Sequence, residues 1–116
     1  MVIVYLDSES LLQINLEGKC ETMLNSYCIT KKAEVHIELT DGDTDSGGCY
    51  KSGSDIYIEA NSLLALAHEL VHAVQFINNE LDLATRTWKG TFYSKQEPWE
   101  QQAYALEQRI LTNFLL

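Results

Sequence analysis

Two histidines stand four residues apart near the middle of the chain, and a glutamate directly follows the first: His68, Glu69 and His72. Side chains four residues apart lie above one another on an α-helix, with Cβ atoms about 5 to 6 Å apart. The surrounding segment, from Leu63 to Ile77, carries apolar residues at the spacing of a helix. The motif therefore predicts a helix on which both imidazole rings project from one side.

Imidazole rings in this arrangement suit a zinc ion. Zinc binds ring nitrogens at roughly 2.0 to 2.1 Å, and two converging side chains can place their nitrogens at that distance from one ion. Glu69 projects about 100° around the helix from His68. It can thus flank the ion without binding it and accept a proton from zinc-activated water. The spacing indicates a hydrolytic site with one Zn²⁺ per chain, in which His68 and His72 are metal ligands and Glu69 is the general base.

The composition is typical of one globular domain spanning residues 1–116, with 46% hydrophobic residues. A net charge of −9 and scattered basic residues argue against nucleic acid as a partner and favour a peptide or protein substrate, a basic peptide segment above all. No segment has the character of a signal peptide or membrane span, and the odd number of cysteines argues against a disulfide scaffold. We expect a cytoplasmic monomer that does not bind membranes.

The periodicity of apolar residues divides the chain into strands and helices. Runs that are β-branched or alternating predict strands at Val2–Leu6, Ala33–Leu39 and Asp55–Ala60. Helical spacing predicts helices from about Ser8 to Cys28, from a cap at Asn61 or Ser62 to about Asn78, and from Pro98 onward. A surface loop is predicted at Thr40–Ser54, and a turn-like segment at Glu80–Gln96. The predicted fold is α+β: a small mixed sheet packed on the motif helix and a C-terminal helix, with one N-terminal helix.

Two other groups of potential metal ligands match known metal sites less well. Asp41, Asp43 and Asp45 have the spacing of the first ligands in a calcium loop, but Ser46 replaces the glycine that the sharp turn requires. His36 lies on the polar face of the strand Ala33–Leu39, where a solvated side chain is expected. Neither group is predicted to bind a metal.

A catalytic zinc ion usually has three protein ligands and one open position, so a third ligand is needed. The acidic residues after the motif are Glu80, Asp82, Glu97, Glu100 and Glu107. Glu100 is favoured because the first turn of the C-terminal helix would hold it rigidly, and Glu107 on the same face is second. Cys49 is a further alternative, as a ligand that keeps the site latent, although a loop cysteine without function is the simpler interpretation.

The chain resembles the gluzincin branch of the zincin metallopeptidases, especially their small single-domain members. The resemblance rests on His68-Glu-Leu-Val-His72, on the strand Ile56-Tyr-Ile-Glu59 before it and on Pro98-Trp-Glu-Gln-Gln-Ala103 after it, and covers roughly residues 55–107. It implies a zincin-like fold with Glu100 as third ligand, and the strand Asp55–Ala60 as the sheet edge that receives an extended peptide.

The resemblance implies a zinc-dependent endopeptidase. Tyr93 and Tyr104 are candidates for donating a hydrogen bond to the oxyanion. Tyr104 also marks a departure, since many gluzincins have an aspartate at this place, four residues after the ligand glutamate. Two alternatives stay open: a non-catalytic, zinc-stabilised module that binds a partner, and a zinc amidohydrolase that acts on a non-peptide amide.

Overall fold

The computed structural model describes residues 1–8, 16–29, 31–40, 45–82, 87–89, 91–92 and 98–115. Within these ranges the helices are α1 Leu16–Tyr27, α2 Leu63–Ile77 and α3 Pro98–Leu115. The strands are β1 Val2–Ser8, β2 Ala33–Leu39, β3 Gly47–Ser52, β4 Asp55–Ala60, β5 Leu81–Asp82, β6 Thr87–Trp88 and β7 Thr91–Phe92. None of the helices described is both long and apolar enough to cross a membrane.

The main sheet has four strands in the order β1-β2-β4-β3. Its first three strands run parallel, and β3 runs antiparallel to β4. Alternate residues of these strands point into the core, among them Val35, Ile37, Ile56 and Ile58, which are at most 3% exposed. The predicted α+β class, with a mixed sheet and three helices, is confirmed.

Helix α2 lies in the core, where it packs against β3, β4 and α3. The hydroxyl of Ser62 caps its start by accepting a hydrogen bond from the Ala65 amide at 3.0 Å. Its end is marked by Asn79, whose φ of 57° lies in the left-handed region that asparagine tolerates. Because nearly every face of α2 is buried, Glu69 and His72 are surrounded by packed side chains, whereas His68 is partly exposed.

The prediction of a loop over Thr40–Ser54 is wrong for the part that forms β3. This strand pairs with β4 through a tight hairpin, in which Gly53 has a φ of 63°. The first two residues of β3 are glycines, which provide no alternating side chains, so the periodicity of the sequence does not indicate a strand there. The strand β4 is therefore interior, and the sheet edge that the resemblance assigned to it belongs to β3.

The N-terminal helix is also shorter than predicted. Ser8 belongs to β1 and is in register with Leu39, so the helix does not begin there. Helix α1 begins at Leu16 among the described residues, and residues 9–15 lie outside them. Asp41 and Asp43 of the calcium-like spacing also lie outside the described residues.

Helix α1 covers one edge of the sheet with its side chains. Three residues at successive turns of α1 accept hydrogen bonds from alternate amides of the edge strand β1. The pairs are Asn25 Oδ1 with Val2 N at 2.7 Å, Glu21 Oε2 with Val4 N at 3.2 Å, and Glu17 Oε2 with Leu6 N at 2.9 Å. Edge amides left unpaired are a template for adding another strand, so these contacts close this edge.

Candidate metal centre

Helices α2 and α3 bring His68, His72 and Glu100 together, although Glu100 is distant from the histidines in sequence. Glu100 Oε1 lies 3.0 Å from His68 Nε2 and in direct contact with His72 Nε2. One ligand atom from each residue lies within 4.8 Å of the other two. We call these three residues the candidate metal centre.

The second nitrogen of each imidazole ring has its own partner. His68 Nδ1 lies 2.7 Å from Glu107 Oε2, and His72 Nδ1 lies 2.8 Å from Gln75 Oε1. Both partner atoms are oxygens, so each Nδ1 donates a hydrogen bond to them. In the neutral imidazole the Nε2 atom then carries the free lone pair, which is the arrangement that a metal-binding histidine needs.

The two imidazoles face the same carboxylate, and this contact affects the pKa of His68. Burial lowers the pKa of His68, whereas hydrogen bonds with Glu107 and Glu100 raise it, and the net effect is a raised pKa. A proton on Nε2 can therefore occupy the place of a cation between His68 and Glu100.

Gln75 and Glu107 were not predicted to orient the histidines. Gln75 is fully buried, and its Nε2 donates to the Trp99 carbonyl and to Gln102 Oε1, both at 2.9 Å. It thereby links His72 to the start of α3. A sequence signal for this role exists, since Gln75 is a polar residue three positions after His72 in an otherwise apolar segment. Glu107 was considered only as a ligand.

Glu69 lies beside the candidate metal centre and is only 6% exposed. Its Oε1 is 4.0 Å from His72 Nε2, and its Oε2 is buried without a hydrogen-bond partner among the described residues. Burial raises the pKa of this carboxyl group, and the two histidines oppose that effect. A buried carboxylate with a free oxygen and a raised pKa has the properties of a general base.

The edge strand β3 passes directly over Glu69 at Gly47. A Cβ atom at this position would lie 3.3 Å from Glu69 Cγ and only 2.4 Å from the Glu59 carbonyl oxygen. No such obstruction exists at Gly48, where a Cβ would meet nothing within 4 Å. The absent side chain at position 47 thus lets the edge strand approach the carboxylate.

A pocket of about 350 Å³ opens onto these residues. Tyr104 lines it, is 63% exposed, and holds its ring 4.8 Å from the His68 ring. The other predicted oxyanion donor, Tyr93, lies outside the described residues. Cys49 is not part of the candidate metal centre, and burial together with the charge of Glu69 raises the pKa of its thiol.

The donor set fits zinc. Two imidazole nitrogens and one carboxylate oxygen are ligands that zinc accepts at catalytic sites, and the ligand atoms are close enough together to share one ion. Among the described residues no fourth histidine, cysteine, aspartate or glutamate joins this group. His68 and Glu100 of this group also line the pocket, so an ion held by the three residues would be accessible from it.

Comparisons with protein-family models, with curated proteins and with solved structures gave no match to this chain.

Proposed function

We propose that this protein is a zinc-dependent hydrolase that cleaves peptide bonds, as the gluzincin resemblance implies. The observation that carries the proposal is the convergence of His68 Nε2, His72 Nε2 and a Glu100 oxygen beside the buried carboxylate of Glu69. Each imidazole ring is also held at its second nitrogen by a neighbouring side chain. Isolated histidines on a helix surface lack such partners.

When bound, zinc would polarise a carbonyl oxygen and make water nucleophilic near neutral pH. Glu69 takes the proton of the attacking water, and it then gives that proton to the nitrogen of the leaving amine. Its Oε1, 4.0 Å from His72 Nε2, is the oxygen on the side of the candidate metal centre and is the atom that would accept this proton. His68 and His72 keep their orientation during these steps through Glu107 and Gln75.

An extended peptide is the substrate that the surroundings favour. Strand β3 is an edge of the sheet, it borders the pocket through Gly47, and no described strand pairs with its outer side. A substrate added alongside β3 as a further strand would pass over Glu69 and present a backbone carbonyl to the pocket. This surface favours a peptide over a small amide.

A purely structural zinc site is less consistent with the donor set. Structural sites are closed by four protein ligands, whereas catalytic sites leave one position open. The described residues offer three ligands, two of which line a pocket, and Cys49 is not part of the group.

The test combines metal analysis with cleavage of a quenched-fluorescent peptide library. We expect about one zinc per chain and measurable cleavage. Glu69→Gln should keep the metal and lower the cleavage rate by about a hundredfold or more, because a general base typically contributes that much. Glu100→Ala should lose both metal and cleavage.

Glu80→Gln is the matched control, because Glu80 pairs with Lys89 at 3.4 Å and is not part of the candidate metal centre. It should keep both metal and activity. A Glu69→Gln variant that cleaves at the normal rate would refute the assigned general base, and a folded wild-type chain that takes up no zinc would refute the proposal as a whole.

A further inference from the structure

The face of the main sheet that points away from α2 carries a row of stacked rings, one from each strand. The rings lie nearly parallel, with interplanar angles of 14° to 15°, and their centroids are 5.1, 5.0 and 5.2 Å apart in order across the sheet. The row consists of Tyr5, His36, Tyr57 and Tyr50, which we call the aromatic row. His36 was predicted to be solvated, but it is half-buried between two tyrosines, and its Nε2 has no hydrogen-bond partner among the described residues.

Acidic side chains flank the aromatic row on both sides, in register across the strands. On one side Asp7 pairs with Glu38 and Glu38 with Glu59, and on the other side Glu34 pairs with Asp55. Like charges placed directly opposite each other destabilise a sheet. Their cost is not offset within the described residues, where none of the five forms an ion pair with lysine or arginine. The charge of Glu34 also raises the pKa of the Tyr5 hydroxyl.

A groove of about 320 Å³ lies between the aromatic row and the three acidic residues Asp7, Glu38 and Glu59. Its lining includes the four residues of the aromatic row on one side and these three carboxylates on the other. Tyr50 and Tyr5, at the two ends of the aromatic row, are 61% and 47% exposed. The groove crosses the strands, so a bound chain would lie across the sheet instead of extending it.

We propose that this outer face binds an arginine-rich, extended segment of a partner protein. A guanidinium group is planar and forms paired hydrogen bonds with carboxylates, and it can stack on the exposed end ring of the row, Tyr50, whose neighbour covers only one of its faces. Alternate side chains of an extended segment are roughly 7 Å apart, which allows successive arginines to reach carboxylates on different strands. The partner would supply the positive charge that the face itself lacks.

Other occupants match this face less well. A second copy of the chain would bring the same carboxylates against each other, and nucleic acid would add phosphate to them. A divalent cation is the remaining rival, since atoms of Glu34, His36 and Asp55 lie within 4.8 Å of one another. Such an ion would occupy only one side of the aromatic row and would leave the groove with Glu38 and Glu59 unfilled.

The test measures fluorescence anisotropy of a labelled peptide with three arginines at alternate positions, separated by threonine. The matched peptide carries citrulline, which has the same shape without the charge. EDTA in the buffer keeps divalent ions out of the candidate metal centre, which lies on the other side of the sheet. The outcome is therefore independent of the proposed hydrolase function.

We expect the arginine peptide to bind and the citrulline peptide not to bind. Glu38→Lys should weaken binding by about tenfold, because it reverses one charge in the groove. Glu80→Lys changes the net charge equally outside the sheet and should alter the dissociation constant by less than about twofold. Tyr50→Thr keeps the strand propensity, removes an exposed ring and should also weaken binding, which provides a second variant if Glu38→Lys folds poorly.

If Glu38→Lys and Glu80→Lys weaken peptide binding equally, binding depends only on the net charge of the protein, and the proposal is overturned. Equal binding of the citrulline peptide would overturn it as well. In buffer without EDTA, displacement of the peptide by sub-millimolar zinc that is abolished in His36→Ala would assign the face to a metal ion instead.

Discussion

A histidine can bind a metal only if the correct ring nitrogen is free, and here two neighbours decide which one it is. Glu107 and Gln75 each accept a hydrogen bond from an Nδ1 atom, which leaves both Nε2 atoms directed at Glu100. The partner of the His68 ring is a carboxylate, whereas the partner of the His72 ring is a neutral amide. If the two histidines bind zinc as proposed, their different partners would make them ligands of unequal strength.

This inequality leads to a prediction for Gln75. Gln75→Leu removes the acceptor for His72 and the link to α3, so zinc affinity should fall by about tenfold to a hundredfold, the usual effect of losing such a partner. Gln75→Glu keeps an acceptor and should retain most of the affinity. Calorimetric titration with zinc, after circular dichroism has established that each variant folds, gives the comparison. Equal zinc affinity of Gln75→Leu and the wild type would show that the His72 orientation does not depend on Gln75.

Among single residues, the sequence predicted those whose spacing is set by one helix. His68, Glu69 and His72 lie on the single helix α2, so their relation follows from helix geometry alone. Glu100 could be favoured because the stripe on α3 is equally regular. The partners of Nδ1 could not be assigned, because the contact between His68 and Glu107 depends on how two helices are packed.

At the level of elements, the closeness of β3 to α2 gives the candidate site its shape. The strand passes close to Glu69 because Gly47 has no side chain that would collide with the Glu59 carbonyl of β4, and this closeness contributes to the burial of the carboxylate. A neighbouring strand that approached less closely would leave Glu69 more exposed to solvent. Burial would then raise the pKa of the Glu69 carboxyl group less.

Gly47 and Gly48 provide a matched pair for testing this closeness. In Gly47→Ala the new methyl group would collide with the Glu59 carbonyl, which belongs to the backbone, so β3 must move away from β4. We expect lower thermal stability, by roughly 1 to 3 kcal/mol as for other overpacked sites, and a lower cleavage rate. Gly48→Ala meets no atoms and should leave both unchanged. Equal behaviour of the two variants in thermal melts and peptide cleavage would show that the close approach at Gly47 is not required.

The elements themselves were predictable where side chains alternate or repeat. Strands β2 and β4 were predicted with their observed bounds, because buried valine and isoleucine alternate there with polar residues. Strand β3 was missed, since it is an exposed edge whose first two residues lack side chains. Its pairing with β4 depends on the turn at Gly53 and on the partner strand, and neither appears in a local pattern.

In the whole molecule, the candidate metal centre joins two helices that are far apart along the chain. An ion bound there would hold α3 against α2 and would stabilise the folded state, because the unfolded chain keeps no such site. At a free zinc concentration a hundred times the dissociation constant, the gain is about 2.7 kcal/mol.

We therefore expect zinc to raise the melting temperature by roughly 10 °C for a chain of this size. Magnesium should have little effect, because nitrogen ligands suit it poorly. In Glu100→Ala, the zinc-dependent rise should largely disappear. Differential scanning calorimetry with and without EDTA measures this change. A melting temperature that is insensitive to zinc in the wild type would argue against a metal-bridged pair of helices.

The overall arrangement lay beyond sequence reasoning. The fold class followed from the alternation of strands and helices, but the order β1-β2-β4-β3 determines which strand is exposed. The assignment of the open edge to β4 was wrong for this reason. It assumed that the strand before the motif helix is the last strand of the sheet, whereas the hairpin places β3 outside it.

The two borders of the main sheet differ, since amides of β1 are bonded to α1 whereas no described strand lies beyond β3. A sheet of this kind can grow in one direction only. If two molecules joined through their β3 borders, the eight strands would have α1 at both ends, and no border would be left for a third molecule. Growth into a fibre through this sheet would thus stop after the first pairing, because α1 closes the other border of each molecule.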